Sequence, residues 1–231
     1  MEWLSQSRPY GGYADRREAG AALADRLKQF ANKDDILVLA LPRGGVPVGY
    51  EVARALGAQL DVFVVRKLGL PDHPELAMGA IASGDVRVMN EDVLASYPVS
   101  QAAIEAVIRA ERLELERRER EYRDGWPLVP IAGRTVILVD DGLATGSTMR
   151  AAVLAVRRLQ PARVVVAVPV GAWQTCQALR EVADEVVCAF TPEPLRAVGL
   201  WYADFSQTTD AEVRQLLSRA NAGATTTTRS T

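Results

Sequence analysis

Residues 135–149 read TVILVDDGLATGSTM, the most informative segment of the chain for its fold class. Its apolar run predicts a buried strand that ends in two carboxylates, Asp140 and Asp141. A loop of small residues follows, and a helix is predicted to begin near Ser147. The unpaired N–H groups and the positive dipole end of such a helix start make an anion site. The stretch therefore predicts a phosphate cradle at the carboxyl end of a strand, where open α/β sheets bind ligands.

The residues predicted to form this cradle would offer backbone N–H groups and hydroxyls to an anion. These residues are Ala144, Thr145, Gly146, Ser147 and Thr148. The two carboxylates need a counterpart beside a phosphate, because like charges about 4 Å apart repel by about 4 kcal/mol at an effective dielectric constant of about 20. Ribose hydroxyls donate to carboxylates, and Mg²⁺ prefers carboxylate, water and phosphate oxygens. The pattern therefore predicts a phosphorylated sugar as ligand, together with a divalent ion.

Strand-like and helix-like segments alternate on both sides of this stretch. Apolar runs at 36–41, 60–65 and 163–170 are typical of parallel strands covered on both faces. Weaker strand candidates lie at 80–81, 86–89 and 185–190, and apolar residues recur at helical spacing in 15–30, 46–56, 149–159, 172–182 and 210–220. This rhythm predicts the α/β class, with a mostly parallel twisted sheet flanked by helices.

Residues 100–123 form a long, Glu- and Arg-rich segment without Gly or Pro, which predicts one surface helix. Ile104, Ile108, Leu115 and Tyr122 would make its apolar stripe. Such a helix can cover the site, pair with a second subunit, or present a solvated face. The low-complexity tail at 221–231 is predicted to be disordered, which leaves one domain at 1–220 with its core at about 36–190.

Composition excludes several classes of function. Among the 231 residues, 27 are Lys or Arg and 29 are Asp or Glu, so the balanced charge provides no bulk attraction to nucleic acid or an anionic membrane. No apolar run is long enough to span a membrane, and residues 1–17 lack the apolar stretch of a signal peptide, so a cytoplasmic location is expected. A single histidine, His73, excludes a multi-histidine metal site. Cys176 and Cys188 lack metal-site spacing and are predicted to be buried, reduced thiols.

The stretch VILVDDGLATGST resembles the 5-phosphoribosyl-1-pyrophosphate (PRPP) binding motif of the type I phosphoribosyltransferases. The resemblance implies that Asp140 and Asp141 contact the ribose hydroxyls and hydrated Mg²⁺, and that the loop 144–148 holds the 5′-phosphate. It also implies a Mg²⁺-dependent transfer of the phosphoribosyl group to a nitrogenous acceptor, a type I core with a small hood built from the terminal segments, and a homodimer.

Two further loops look like parts of the same family's site. LPRGG at 41–45 follows a predicted strand and resembles the pyrophosphate loop, which assigns Arg43, Gly44 and Gly45 to the leaving group. Arg66 and Lys67 are predicted to end the strand 60–65 at the same sheet edge, where two adjacent cations suit a diphosphate. The irregular stretch 68–78 resembles the mobile loop that closes over the site in this family and excludes water.

The segment VGLWYADF at 198–205 is similar to the hood of family members that use nucleobases. The resemblance implies that Trp201, Tyr202 or Phe205 stacks on the acceptor and that Asp204 contacts Mg²⁺ or pyrophosphate. The simpler alternative is an aromatic cluster that fills the core. Ala144 stands where members that use 6-oxopurines have an Asp, which argues against hypoxanthine or guanine as acceptor and leaves the acceptor open.

Three functions fit these patterns. The first is an enzyme that transfers the phosphoribosyl group to a nitrogenous acceptor and releases pyrophosphate. The second is a regulator on the same fold that binds PRPP or a nucleotide without transferring it, since fold and motif do not separate the two. The third is a hydrolase or phosphorolytic enzyme that uses the same site. The basic dipeptide and the pyrophosphate-like loop favour the transferase.

Overall fold

Five parallel strands form the central sheet in the order β2-β1-β6-β7-β8. The structure is a computed structural model, and it describes residues 12–227, with side chains as far as residue 222. The strands are β1 (Ile36–Ala40), β2 (Gln59–Val62), β6 (Thr135–Val139), β7 (Arg163–Val170) and β8 (Glu185–Phe190). The predicted α/β class with a mostly parallel sheet is therefore confirmed.

Strand register places the predicted site loops side by side. Ala40, the last residue of β1, pairs with Val62 on one side and with Val139 on the other. Because both neighbours run parallel to β1, the loops that follow β1 and β6 leave the sheet at the same edge. The phosphate cradle and the LPRGG loop are thus adjacent although they lie far apart in the sequence.

Helices cover both faces of this sheet. Side chains on one face of β1, such as Val38, pack with α1 (Arg16–Asp25) and α2 (Gly45–Leu56), and those on the other face, such as Leu37, share a core with α5 (Ser147–Arg158) and α6 (Trp173–Leu179). Asp15 caps α1, since its side chain accepts the N–H groups of Arg17 and Glu18. Gly57 ends α2 in the left-handed conformation, with φ +65°.

A second, antiparallel sheet was not predicted, although two of its strands contain the weaker strand candidates at 80–81 and 86–89. It contains β3 (Val65–Gly69), β4 (Ala77–Ala82) and β5 (Val86–Met89) in that order. The prediction of one strand at 60–65 was wrong, because the chain leaves the central sheet after the Phe63 N–H bonds to the Ala40 carbonyl, 3.0 Å away. Val64 then exchanges hydrogen bonds with Ser83. The predicted irregular stretch is shorter than 68–78, since both of its ends lie in strands.

The long helix α4 (Gln101–Arg123) follows the short α3 (Glu91–Ser96) and covers the antiparallel sheet. Its predicted apolar stripe is confirmed, because Ile104, Ile108, Leu115 and Tyr122 are all buried. Its C-terminal end is held by the buried Arg123, whose Nε donates to the Asp61 carboxylate at 2.9 Å. The helix is therefore packed on the core along one side, and its other side carries the ion pairs.

The last helix, α7 (Asp210–Thr227), extends into the segment predicted to be a disordered tail. Residues 228–231 of that segment, and residues 1–11 at the other end, lie outside the described residues. Among residues 12–227, none of the helices is long and apolar enough to cross a membrane.

Candidate functional site

The site is built where the loops after β1 and β6 touch. Gly44 lies against the Asp141 carboxylate so closely that a side-chain carbon at Gly44 would overlap Oδ2. A Cβ on Gly45 would lie 2.7 Å from the Val139 carbonyl oxygen and 3.2 Å from Asp140 Oδ1. Only glycine permits this approach. The structure thus brings the residues predicted for the ribose and for the pyrophosphate into direct contact.

The two carboxylates form a half-buried, mutually repelling pair. Burial and the neighbouring charge of Asp141 raise the pKa of Asp140 well above its usual range. Burial also raises the pKa of Asp141. The Asp141 N–H donates to Asp140 Oδ1 at 2.8 Å. This arrangement favours binding of groups that offset negative charge, which are cations and hydroxyl donors.

Arg16 belongs to the site and was missed by the sequence analysis. Its Nε donates to Asp141 Oδ2 at 2.8 Å, its Nη1 donates to the Ser206 carbonyl at 2.7 Å, and its guanidinium carbon lies 4.0 Å from the Phe205 ring centroid. Only 11% of its side chain is exposed. No sequence signal could have found it, because it is one arginine of a helix that begins 125 residues before its partner.

The two terminal segments, around Tyr13 and around 201–206, meet above the Asp140–Asp141 pair. The Tyr13 N–H donates to the Trp201 carbonyl at 2.8 Å, and the Ala203 N–H donates to the Tyr13 carbonyl at 2.8 Å. Tyr202 is buried and its hydroxyl donates to the Asp141 carbonyl at 2.5 Å. Burial, followed by the charge of Asp141, raises the pKa of Tyr202. Tyr202 therefore positions the carboxylate loop.

The other two predicted acceptor residues, Trp201 and Asp204, lie on either side of Tyr202 in the chain. Trp201 is half-buried, with its ring centroid 4.8 Å from that of Phe190. Asp204 is exposed, and its Oδ1 accepts the Ser206 N–H at 2.9 Å. Their assignment to the acceptor stays a prediction.

The loop 144–148, called the phosphate loop after its predicted role, has the form that the sequence indicates. Gly146 adopts the left-handed conformation with φ +71°, and α5 begins at Ser147. The Ser147 and Thr145 hydroxyl oxygens are 3.4 Å apart. The Thr175 hydroxyl, from the beginning of α6, donates to the Ala144 carbonyl at 2.7 Å and so supports the loop from outside. The N–H groups at the start of this 12-residue helix point to the end of the sheet where the carboxylates lie.

Arg66 and Lys67 lie in β3 of the antiparallel sheet, so the expectation that they end a strand of the main sheet was wrong. They line a cavity of about 470 Å³ together with Thr148 of the phosphate loop. Glu111 of α4 also lines this cavity, and its carboxylate forms an ion pair with Arg66 at 2.6 Å. The long helix therefore contributes a carboxylate to the cavity beside the phosphate loop.

Arg43 extends away from the carboxylate pair toward the start of α7. Its Nη1 lies 3.6 Å from the Asp210 carboxylate, and the Tyr122 hydroxyl donates to the same group at 2.9 Å. Gly44 and Gly45 of the LPRGG loop thus contact the carboxylates, whereas the Arg43 charge is held at the side of the loop.

Comparisons with known proteins converge on one family. The sequence-family model described as the phosphoribosyl transferase domain matches residues 13–190. Two curated Mycobacterium tuberculosis proteins, from strains CDC 1551 and H37Rv, are named "putative phosphoribosyl transferase" and are each 48% identical over 209 residues, which is 90% of this chain and 47% of theirs. The chain thus spans about half the length of the curated relatives it matches.

A solved structure with the same fold is that of the protein TT1426 from Thermus thermophilus. It is 42% identical in sequence and superposes with a TM-score of 0.81 over 90% of this chain and 98% of that chain. Nearly all of that protein therefore has a counterpart here.

Proposed function

Because this chain belongs to the phosphoribosyl transferase domain family, we propose that it transfers the 5-phosphoribosyl group of PRPP to a nitrogenous acceptor and releases pyrophosphate. The observation that carries the proposal is the contact between the Asp140–Asp141 pair and the Gly44–Gly45 backbone, next to the helix start at Ser147. A ribose that carries a phosphate at C5 and a pyrophosphate at C1 would use all three features together.

The residues act mainly by position and charge. The bond between ribose C1 and the pyrophosphate oxygen breaks, and positive charge develops on the ribose ring. Asp140 and Asp141 orient the ribose hydroxyls and stabilise that charge, while the loop 144–148 holds the 5′-phosphate. The N–H groups of Gly44 and Gly45, together with Arg66 and Lys67, stabilise the leaving pyrophosphate. No protein nucleophile is required.

A magnesium ion fits the carboxylate pair. Among the described residues, no group of three or more His, Cys, Asp or Glu side chains is placed to hold a metal ion. The paired Asp140 and Asp141 suit Mg²⁺ all the same, because this ion usually takes one or two carboxylates and keeps water and substrate oxygens as its other ligands. Bound there, Mg²⁺ would offset the charge of the pyrophosphate.

The acceptor would enter beneath the two joined terminal segments. Trp201 and Phe205 are aromatic rings there that keep exposed surface beside the site, whereas Tyr202 is buried. Ala144 in the phosphate loop argues against a 6-oxopurine. We further propose that the protein works in the cytoplasm as a homodimer.

The test is calorimetric titration of PRPP into the protein with and without Mg²⁺, followed by pyrophosphate-release assays with a panel of nucleobases. We expect micromolar binding that depends on Mg²⁺ and is lost in Asp141→Asn. The matched control is Asp184→Asn, because Asp184 lies at the start of β8 and is paired with Arg157 at 2.9 Å, remote from the carboxylate pair.

The outcomes separate the remaining alternatives. Binding without turnover on any acceptor would indicate the regulator, and ribose 5-phosphate formed without acceptor would indicate the hydrolase. Wild-type PRPP affinity in folded Asp141→Asn would contradict the role assigned to Asp141, and no binding to the wild-type protein would rule out PRPP as the ligand.

A further inference from the structure

Two cysteines that the proposed reaction does not use point their sulfurs at one place. Cys176 comes from α6 and Cys188 from β8, and both are reduced. A Cβ placed on Gly171 would lie 2.9 Å from the Cys176 sulfur and 3.1 Å from the Cys188 sulfur. The two sulfurs are therefore at most about 6 Å apart. The absence of a side chain at Gly171 leaves the space between them.

The surroundings allow a small oxidant to reach the pair. Cys176 is buried, whereas Cys188 is half-buried, so the expectation that both thiols are buried was wrong for Cys188. Both cysteines line a cavity of about 380 Å³ that two arginines also border, and the lining includes Arg26, Trp173, Cys176, Arg180, Cys188 and Thr191. A peroxide molecule is far smaller than this cavity.

The two thiols differ in acidity in a way that assigns them different roles. The neighbouring Cys188 thiol, aided by the positive charge of Arg180, lowers the pKa of Cys176. The neighbouring Cys176 thiol, together with burial, raises the pKa of Cys188. The Cys188 thiol donates to the Phe190 carbonyl at 3.2 Å. Thiolate character determines which cysteine attacks an oxidant, so Cys176 is the nucleophile of the pair.

We propose that Cys176 and Cys188 form a reversible intramolecular disulfide when the protein meets a peroxide. The Cys176 thiolate attacks one peroxide oxygen, so that an S–O bond forms, the O–O bond breaks, and the leaving oxygen takes up a proton to become water. The Cys188 thiol then attacks the Cys176 sulfur. The S–S bond forms, the S–O bond breaks, and the departing hydroxide takes the Cys188 proton as a second water. Two thiols are oxidised and one peroxide is reduced.

The disulfide would act on the phosphate loop through the residue next to Cys176. A disulfide requires an S–S distance near about 2.05 Å, and we expect the approach of the two sulfurs to draw α6 toward β8. Thr175 moves with α6, and its hydroxyl supports the Ala144 carbonyl of the phosphate loop at 2.7 Å. Its methyl group also packs against Gly146. The oxidised protein should therefore hold a 5′-phosphate less well than the reduced protein, an effect that rests on the proposed function.

The experiment treats the full chain with hydrogen peroxide and records the intact mass before and after dithiothreitol. We expect a monomer that is lighter by two hydrogens and returns to its original mass on reduction. The matched variants are Cys188→Ser and Cys176→Ser. Cys188→Ser should instead gain oxygen, because its Cys176 sulfenic acid has no second thiol to attack it. Far-UV circular dichroism confirms that each variant is folded.

Three results with the wild-type protein would each overturn the proposal: a gain of oxygen atoms, the formation of intermolecular disulfides alone, or two thiols that still react with an alkylating reagent. The effect on the site is read separately by PRPP calorimetry on the oxidised and reduced forms, where we expect affinity to fall about fivefold or more on oxidation. Equal affinities would refute the coupling to the loop. If the reduced protein does not bind PRPP, the proposed function fails, while the mass measurement still decides the disulfide.

Discussion

Replacing Asp140 by Asn should stabilise the ligand-free protein. Asn retains an oxygen to accept the Asp141 N–H, which lies 2.8 Å from Asp140 Oδ1 in the wild type. It removes one of two adjacent, half-buried negative charges. Two such charges about 5 Å apart repel by roughly 3 kcal/mol at an effective dielectric constant of about 20, against about 1 kcal/mol in the solvated unfolded chain. With part of the repulsion offset by Arg16 and the cost of burial added, we expect a gain of about 1–3 kcal/mol at pH 8.

The gain should depend on pH in a defined direction. The folded-state pKa of Asp140 is raised, so the folded protein holds this proton to higher pH than the unfolded chain does. Wild-type stability therefore falls as pH rises from the unfolded-state pKa, near about 4, to the folded-state pKa. The asparagine side chain does not titrate, so the advantage of Asp140→Asn should be small near pH 4 and reach its full value only above the folded-state pKa.

The assay is urea denaturation followed by circular dichroism between pH 4.5 and 8, without Mg²⁺ or phosphate, since either would stabilise the wild type by binding. Asp184→Asn is the control of opposite sign. Burial alone would raise the pKa of Asp184, but the Arg157 ion pair and the Val164 N–H lower it, so its loss should cost stability at pH 8 and less in acid. An Asp140→Asn protein less stable than the wild type at pH 8, or equally stabilised at all pH values, would refute the reasoning.

Two further predictions concern charges that the structure pairs across the chain. Arg16→Ala should lower the free energy of unfolding, measured by urea denaturation at pH 8, by about 2–4 kcal/mol, because it leaves the Asp141 carboxylate unpaired. The double variant with Asp141→Asn should lose about 1–3 kcal/mol less than the sum of the two single-variant losses. Additive losses would contradict the pairing. Glu111→Gln should release Arg66 from its 2.6 Å ion pair and raise pyrophosphate affinity about two- to fivefold, with stability changed by less than about 1 kcal/mol. Unchanged pyrophosphate binding by calorimetry would show that Arg66 does not bind the leaving group.

Much of the central sheet could be predicted because its strands are nearly continuous apolar runs. β1 and β6 are buried at every residue, which is why their apolar runs predict them directly. The boundary between β2 and β3 could not be predicted, since Phe63 and Val64 are apolar and buried like Leu60 and Val62 of β2. The hydrogen bonds with Ser83 and the pairing of Val65 with Ala82 show that the chain has changed sheets there.

The candidate site divides in the same way. The carboxylates, the phosphate loop and the two glycines could be predicted because their chemistry is local to the chain: a strand end, a turn and a helix start follow one another within a few residues. Glu111, by contrast, is one of many alternating charges on a long helix. Its place in the cavity with Arg66 depends on how α4 packs over the antiparallel sheet, which no local pattern indicated.

The charge balance of the site shows why the missed residue matters. From the sequence, two adjacent aspartates required an external cation or hydroxyl donors. In the structure, Arg16 already neutralises one of them, with the guanidinium held between the Phe205 ring and the Ser206 carbonyl. The pair therefore carries only part of its formal charge before any ligand binds. Because Arg16 and the segment 205–206 belong to the two terminal segments that meet above the carboxylates, the same ion pair also holds these segments in place. In the proposed function, the charge of Asp141 thus contributes both to ligand binding and to the position of these segments.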